Sequence, residues 1–345
     1  MVKVGIIGCG AIARKRHAVE YKNNPNAQIA GFYDFSEPRA IEMAQEFGGK
    51  VYASAQEMIA DPAIDAVSVC AANKFHASLT IEALNNGKHV LCEKPMAITM
   101  KDCEEMLAAA KRNGKRLLID QNQRLTPAHQ KAKEILASGQ LGKVLSFTTT
   151  FGHKGPEMWS VDKSSNTWFF KKDTAAFGSM ADLGIHKIDL MRFLAGDEVE
   201  SVYSILSTLD KKFSDGTPIE VDDNSIEILR FKNGILGTVT TSWTHYGAEC
   251  NATTLYCEKG IMRIYVDPQY SLDITMADGT KVHYELEAIQ TNDEESQLSS
   301  GVIDLFVGSV MSGAPSILDA DEVIESMKVV FACLQSAQTG CAVNL

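Results

Sequence analysis

The sequence predicts an α/β protein in two parts: an N-terminal parallel sheet wound with helices, then a C-terminal α/β domain with a large, mostly antiparallel open sheet. Three observations carry this. An apolar strand, Val2 to Ile7, runs into a Gly8-x-Gly10-x-x-Ala13 turn. Strand and helix patterns then alternate up to residue 122. From about residue 199 the chain reads instead as strands joined by hairpin signals.

The glycine turn is what a dinucleotide pyrophosphate needs. Gly8 permits a tight turn, Gly10 lets the backbone approach the phosphates, and Ala13 lets helix and strand pack closely. The following helix turns free N–H groups and the positive end of its dipole toward the anion, so Ala11 and Ile12 at its start are cofactor-contact candidates. A second apolar strand, Ile29 to Tyr33, ends on Asp34, 24 residues beyond Gly10. The acid that binds the adenosine ribose is expected after about 20 residues. A carboxylate there repels a 2′-phosphate, which favours NAD; Arg39 leaves NADP open. The plain alternative for Asp34 is a cap on the helix starting near Ser36. With strand, turn, helix and acid in order, the first part is a Rossmann dinucleotide-binding domain.

Its remaining elements follow in turn. Helices are expected at Glu37 to Phe47, Ser54 to Ala60, Phe75 to Asn85 and Thr99 to Arg112. Strands are expected at Val51-Tyr52, Ala66 to Cys70, Lys88 to Cys92 and Arg116 to Asp120. Asn86-Gly87 and Asn113-Gly114 end two of the helices. The second part begins with a helix, Pro127 to Ser138, and a long strand, Val144 to Phe151. A helix from Ser179 to Leu194 follows. Asn233-Gly234, Lys259-Gly260 and Asp278-Gly279 mark hairpins. The last helices, near Glu295–Met311 and Asp319–Ala337, are expected over the domain junction. The division is 1–122 and 123–345, with a C-terminal helix free to pack back on the first domain. One face of the second sheet must be solvated or covered by another subunit, which predicts a homodimer or homotetramer.

The chain has 345 residues, 45% hydrophobic and 22% charged, an ordinary globular composition for two domains. A net charge of −11 without a basic stripe excludes a nucleic-acid partner. Eight cysteines without a Cys-x-x-Cys pair read as reduced, cytoplasmic core residues. The first strand leaves no room for a signal peptide, and no apolar run reaches membrane-spanning length.

Chemistry concentrates in three places. Cys92-Glu93-Lys94-Pro95 closes a parallel strand at the sheet edge where ligands bind. A lysine there stabilises developing alkoxide charge. Asp182, His186 and Asp189 recur at i, i+4 and i+7 and so share a helix face. A histidine one turn from a carboxylate suits a tuned proton acceptor, and a capping Asp182 with a structural His186 is the equally open alternative. Metal ligation by Asp182 and His186 is the rival, but no third ligand stands at a suggestive spacing. Ala71-Ala72-Asn73-Lys74-Phe75-His76 follows another strand, where Asn73 either caps the helix or binds cofactor. Gln121, Asn122 and Arg124 end the sixth strand as cofactor or substrate contacts, Arg124 being equally suited to an inter-domain salt bridge.

These residues together resemble the Gfo/Idh/MocA oxidoreductase family, over essentially the whole chain. The resemblance rests on the glycine turn, Asn73-x-x-His76, Glu93-Lys94-Pro95, Trp168, Asp182-x-Gly184-x-His186-x-x-Asp189 and Ser336-Ala337-x-x-Gly340. It implies a Rossmann domain with an open-sheet partner domain, oligomers through that sheet, and a Lys–Asp–His catalytic group matching Lys94, Asp182 and His186. His186 would accept the substrate hydroxyl proton, Lys94 would polarise the hydroxyl, and Asp182 would orient His186 or hold substrate. Two departures stand out. Ala72 replaces the family's proline before Asn73, and Ala176-Phe177-Gly178-Ser179 keeps one glycine of the run before the catalytic helix. The second reshapes the pocket wall that faces the substrate.

The reading is an NAD-dependent dehydrogenase acting on a secondary alcohol of a sugar, inositol or polyol. Cofactor contacts are expected from Gly8, Gly10, Ala11, Ile12, Asp34, Arg39, Ala71, Asn73, His76, Glu93, Lys94 and Asn122. Substrate contacts are expected from Arg124, His153, Trp168, Asp182, His186 and Tyr246, with Trp159 and His245 as further candidates. The alternatives are a redox-neutral NAD-using glycosidase or epimerase, and a nucleotide-sensing regulator.

Overall fold

A computed structural model of the protein describes residues 1–287 and 299–345. The first sheet has six parallel strands: β1 Val2–Ile7, β2 Ala27–Tyr33, β3 Lys50–Val51, β4 Ala66–Val69, β5 His89–Cys92 and β6 Leu117–Ile119. Their order is β3-β2-β1-β4-β5-β6, so the direction of winding reverses between β1 and β4. Ligands bind beyond the carboxyl ends at such a reversal. Val4, Ile6, Val67 and Val90 are fully buried, as a sheet covered on both faces requires. The connecting helices start where the sequence supplies caps. Ser54 accepts from Glu57 N and Thr99 from Asp102 N, both at 3.0 Å, and Gly114 ends its helix at φ 59°.

The second sheet has nine strands: β7 Val144–Gly152, β8 Val199–Ser207, β9 Asn224–Phe231, β10 Leu236–Ser242, β11 Thr253–Cys257, β12 Gly260–Ile264, β13 Leu272–Met276, β14 Lys281–Tyr284 and β15 Val343–Asn344. Their order is β14-β13-β12-β11-β7-β10-β9-β8-β15, and only β7 and β10 pair in parallel. The hairpins fall at the three expected turns. Helices Ile185–Ala195 and Ala320–Thr339 pack on one face. The other face carries Ile205, Ile226 and Ile228, all exposed.

Three elements differ from expectation. The helices after the glycine turn and before His186 each contain a π stretch, Ala13–Ala18 and Met180–Gly184. Helix Val302–Ser312 packs Val302, Ile303 and Phe306 into the first domain's core with Val4, Ile6 and Phe32, although it follows β14 of the second sheet in sequence. The expected beginning of this helix at Glu295 lies outside the described residues. Helix Ala320–Thr339 does reach the junction, touching helix Met100–Asn113 as well as β8.

Candidate active site

The carboxyl ends of the parallel strands deliver Gly8 from β1, Asp34 from β2, Ala71 from β4, Glu93 and Lys94 from β5, and Asn122 from β6. Two adjoining cavities lie there. The first, about 490 Å³, is lined by Gly8, Gly10, Asp34, Phe35, Arg39 and Ala71 among others. The second, about 110 Å³, brings Lys94, Asp182 and His186 together with Ile12, Asn73, His76, Glu93, Asn122, Trp159 and Trp168. Cys70, Ala71 and Trp168 line both cavities.

Glycine is required at two points. Gly8 holds φ 93°, and a Cβ there would sit 2.5 Å from the Cys70 carbonyl oxygen. A Cβ on Gly10 would meet no protein atom within 4 Å and would stand in the larger cavity, the space a pyrophosphate needs. Asp34 accepts from Cys9 N at 2.7 Å and from Ser36 N at 2.8 Å, tying the glycine turn to the end of β2. Arg39 pairs with Asp162 at 2.5 Å. The residues present fit a dinucleotide.

In the smaller cavity Lys94 Nζ donates to Asp182 Oδ1 at 2.8 Å and to the Asp182 carbonyl at 3.0 Å. The other carboxylate oxygen of Asp182 accepts from Trp243 Nε1 at 3.2 Å. Asp182 therefore holds Lys94; no hydrogen bond joins it to His186 among the described residues. His186 is buried, its ring centroid 6.0 Å from that of Phe151. Burial first, then Lys94, Arg16 and Lys187, lower its pKa well below the usual histidine value, so the imidazole is neutral. His76 lies 2.8 Å from both the Pro95 and Ala71 carbonyls, pinning the two strand-end loops together. Asn73 does not cap its helix; it donates to Ala175 O at 2.9 Å.

Residues 2–121 match the model of an oxidoreductase family with an NAD-binding Rossmann fold, and residues 129–263 match the GFO/IDH/MocA C-terminal domain. The chain belongs to the Gfo/Idh/MocA oxidoreductase family. It is 32% identical over 273 residues to levoglucosan dehydrogenase of Pseudarthrobacter phenanthrenivorans, covering 71% of this chain and 68% of that one. It is 27% identical over 348 residues to myo-inositol 2-dehydrogenase of Thermotoga maritima, covering 100% and 98%. A solved structure of levoglucosan dehydrogenase in complex with NADH and levoglucosan superposes with a TM-score of 0.85 at 25% identity, covering 100% of this chain and 99% of that one.

Several expected contacts of this NAD-binding oxidoreductase lie elsewhere. Arg124 is outside both cavity linings: it forms a two-point ion pair with Asp189, each bond 2.6 Å, and donates to Ile317 O at 2.7 Å. Asp189 is consumed by the same pair and by Ser326, away from the cavity that Asp182 lines. Tyr246 is exposed and bonds Asp210. His153 accepts from Gly155 N at 2.9 Å and packs edge-on behind Trp159. His245 sits against Gly152, and Ala11 lies in neither lining. The sequence reading missed Arg16, Asp120, Gln123, Phe169, Glu249 and Asn251 of the smaller cavity, and Trp243 behind Asp182. Asp120 and Gln123, in the segment that follows β6 at the productive edge, carried a positional signal.

Proposed function

We propose that this oxidoreductase transfers a hydride between a secondary alcohol of a sugar, inositol or related polyol and nicotinamide. One observation carries the reading: the Lys94–Asp182 pair and a neutral His186 share a cavity that adjoins the glycine-turn cavity. NAD, when bound, supplies the hydride acceptor. The neutral imidazole of His186 takes the hydroxyl proton as the carbon is oxidised. The Lys94 ammonium, aimed by Asp182, lies against the oxygen and stabilises its developing negative charge. Asp182 is in turn fixed by Trp243. Trp168 and Phe169 stack at 3.8 Å between centroids, and Trp159 meets Phe169 at 5.1 Å, giving an aromatic wall suited to the apolar face of a sugar ring. The sugar and polyol dehydrogenases among its relatives support the same substrate class.

The test is nicotinamide reduction followed by absorbance with a panel of sugars, inositols and sugar phosphates. Lys94→Ala is expected to lower turnover about 10²–10³-fold, the usual loss for one stabilising donor, with NAD affinity retained. Unchanged turnover refutes the role given to Lys94.

A second reading, redox-neutral use of retained cofactor, has its own observation. The segment 153–178 crosses between the cavities and is tied to the first domain by Arg39–Asp162 and Asn73–Ala175. Product formed without accumulation of NADH distinguishes it.

A further inference from the structure

The chemistry above leaves one buried cluster unused. His17 is 1% exposed, and its Nε2 lies 3.0 Å from Glu93 Oε1 and 3.5 Å from Asp120 Oδ2. Its Nδ1 lies 3.3 Å from Ser68 Oγ, which lies 2.7 Å from the Tyr21 hydroxyl. Glu93 and Asp120 line the Lys94 cavity and His17 does not, so the imidazole backs the two carboxylates from inside the domain. Asp120 Oδ1 is buried and without a hydrogen-bond partner among the described residues.

The charges follow from this packing. Burial alone favours a neutral His17 ring. The hydrogen bonds to the Asp120 and Glu93 carboxylates oppose this, and the pKa lies well above the ordinary histidine range. Burial likewise opposes ionisation of Glu93, but its bond to His17 and the charges of His17 and Lys94 hold it below the usual carboxylate value. Asp120 is pushed up by burial and by Glu93. With Asp120 ionised beside Glu93 and an imidazolium at His17, the cluster carries one net negative charge. Lys94 is neutralised by Asp182, and Arg16 and Glu249, also in the lining, are opposite in sign.

We propose that His17 and Asp120 are positioning residues that set the redox-state preference of the cofactor site: His17 clamps both carboxylates against the cavity, and their surplus negative charge favours the cationic oxidised nicotinamide over the neutral reduced ring. This rests on the reading that the nicotinamide enters the Lys94 cavity. A unit charge acts more strongly in a partly desolvated cavity than in bulk water.

The experiment measures Kd for NAD⁺ and for NADH by calorimetry in the wild-type protein and in Asp120→Asn. The Asn variant is expected to lose about tenfold of its preference for NAD⁺ over NADH, mainly through weaker NAD⁺ binding. Both forms binding with an unchanged ratio overturns the proposal and leaves the hydride-transfer reading intact. Binding of neither form by the wild type removes both. Should the variant not fold, ¹⁵N spectra of the wild-type protein decide: both His17 ring nitrogens protonated at pH 7 supports the clamp, and a neutral ring overturns it. Stoichiometric Zn²⁺ uptake by the wild type, lost in Asp120→Asn, would overturn it in favour of a metal site.

Discussion

Arg124 shows how far a side chain's role depends on its partner. Its guanidinium is nearly sealed from solvent, as is Asp189, and Ser326 completes the carboxylate's bonding at 2.7 Å. A buried pair of this kind contributes little over an apolar pair of the same shape, yet losing one member strands the other charge. Arg124→Met is therefore expected to destabilise the protein by about 3–5 kcal/mol, and the added change Asp189→Leu to recover much of that. Urea unfolding of the single and double variants measures it; equal stability of Arg124→Met and wild type refutes the pairing. Lys94, Asp182 and His186 were legible in the sequence because each stands at a strand end or on a helix whose direction the local pattern sets. Arg124 was ambiguous because Asp189 lies 65 residues away along the chain.

At the scale of elements, β9 carries a conflict between pattern and chemistry. Its burial alternates strictly, and that alternation places Glu227 on the inner face, fully buried. Burial pushes its carboxyl up from 4.5 to about 8, against the opposing pull of the Ser225 and Ser204 hydroxyls. The folded protein thus keeps a proton that the unfolded chain releases at ordinary acidic pH. Stability linked to Glu227 is complete below about pH 4.5 and falls as pH rises through about 8. Glu227→Gln is expected to melt like wild type at the acid end and progressively higher than wild type toward pH 8. Parallel melting curves of the two proteins across that range would refute it. The π stretch Met180–Gly184 is the other lesson at this scale. The residue pattern there predicts a regular helix, whereas the structure has a widened turn packed against β10 and β7.

Across the whole molecule, the open face of the second sheet carries the remaining prediction. Ile205 and Ile226 are cross-strand partners on β8 and β9, each more than half exposed. Apolar pairs on an uncovered sheet face mark an interaction surface. Wild-type protein is expected to form a dimer or tetramer, and Ile205→Glu with Ile226→Glu to give monomer by size exclusion with light scattering. A monomeric wild type would sink the assignment. Among the described residues no helix is long and apolar enough to cross a membrane. The sequence by itself determined the α/β architecture, the carboxyl ends of the parallel strands as the ligand edge, and the hairpins, and through the family resemblance it singled out Lys94, Asp182 and His186 as candidates. It could do so because periodicity, turn chemistry and strand ends are local properties. Tertiary structure alone decided that Asp182 holds Lys94 and not His186, that helix Val302–Ser312 returns to the first domain's core, and that His17 meets Glu93 and Asp120. Those pairings join residues far apart in the chain, and they are chosen by burial and charge balance once the two sheets have packed.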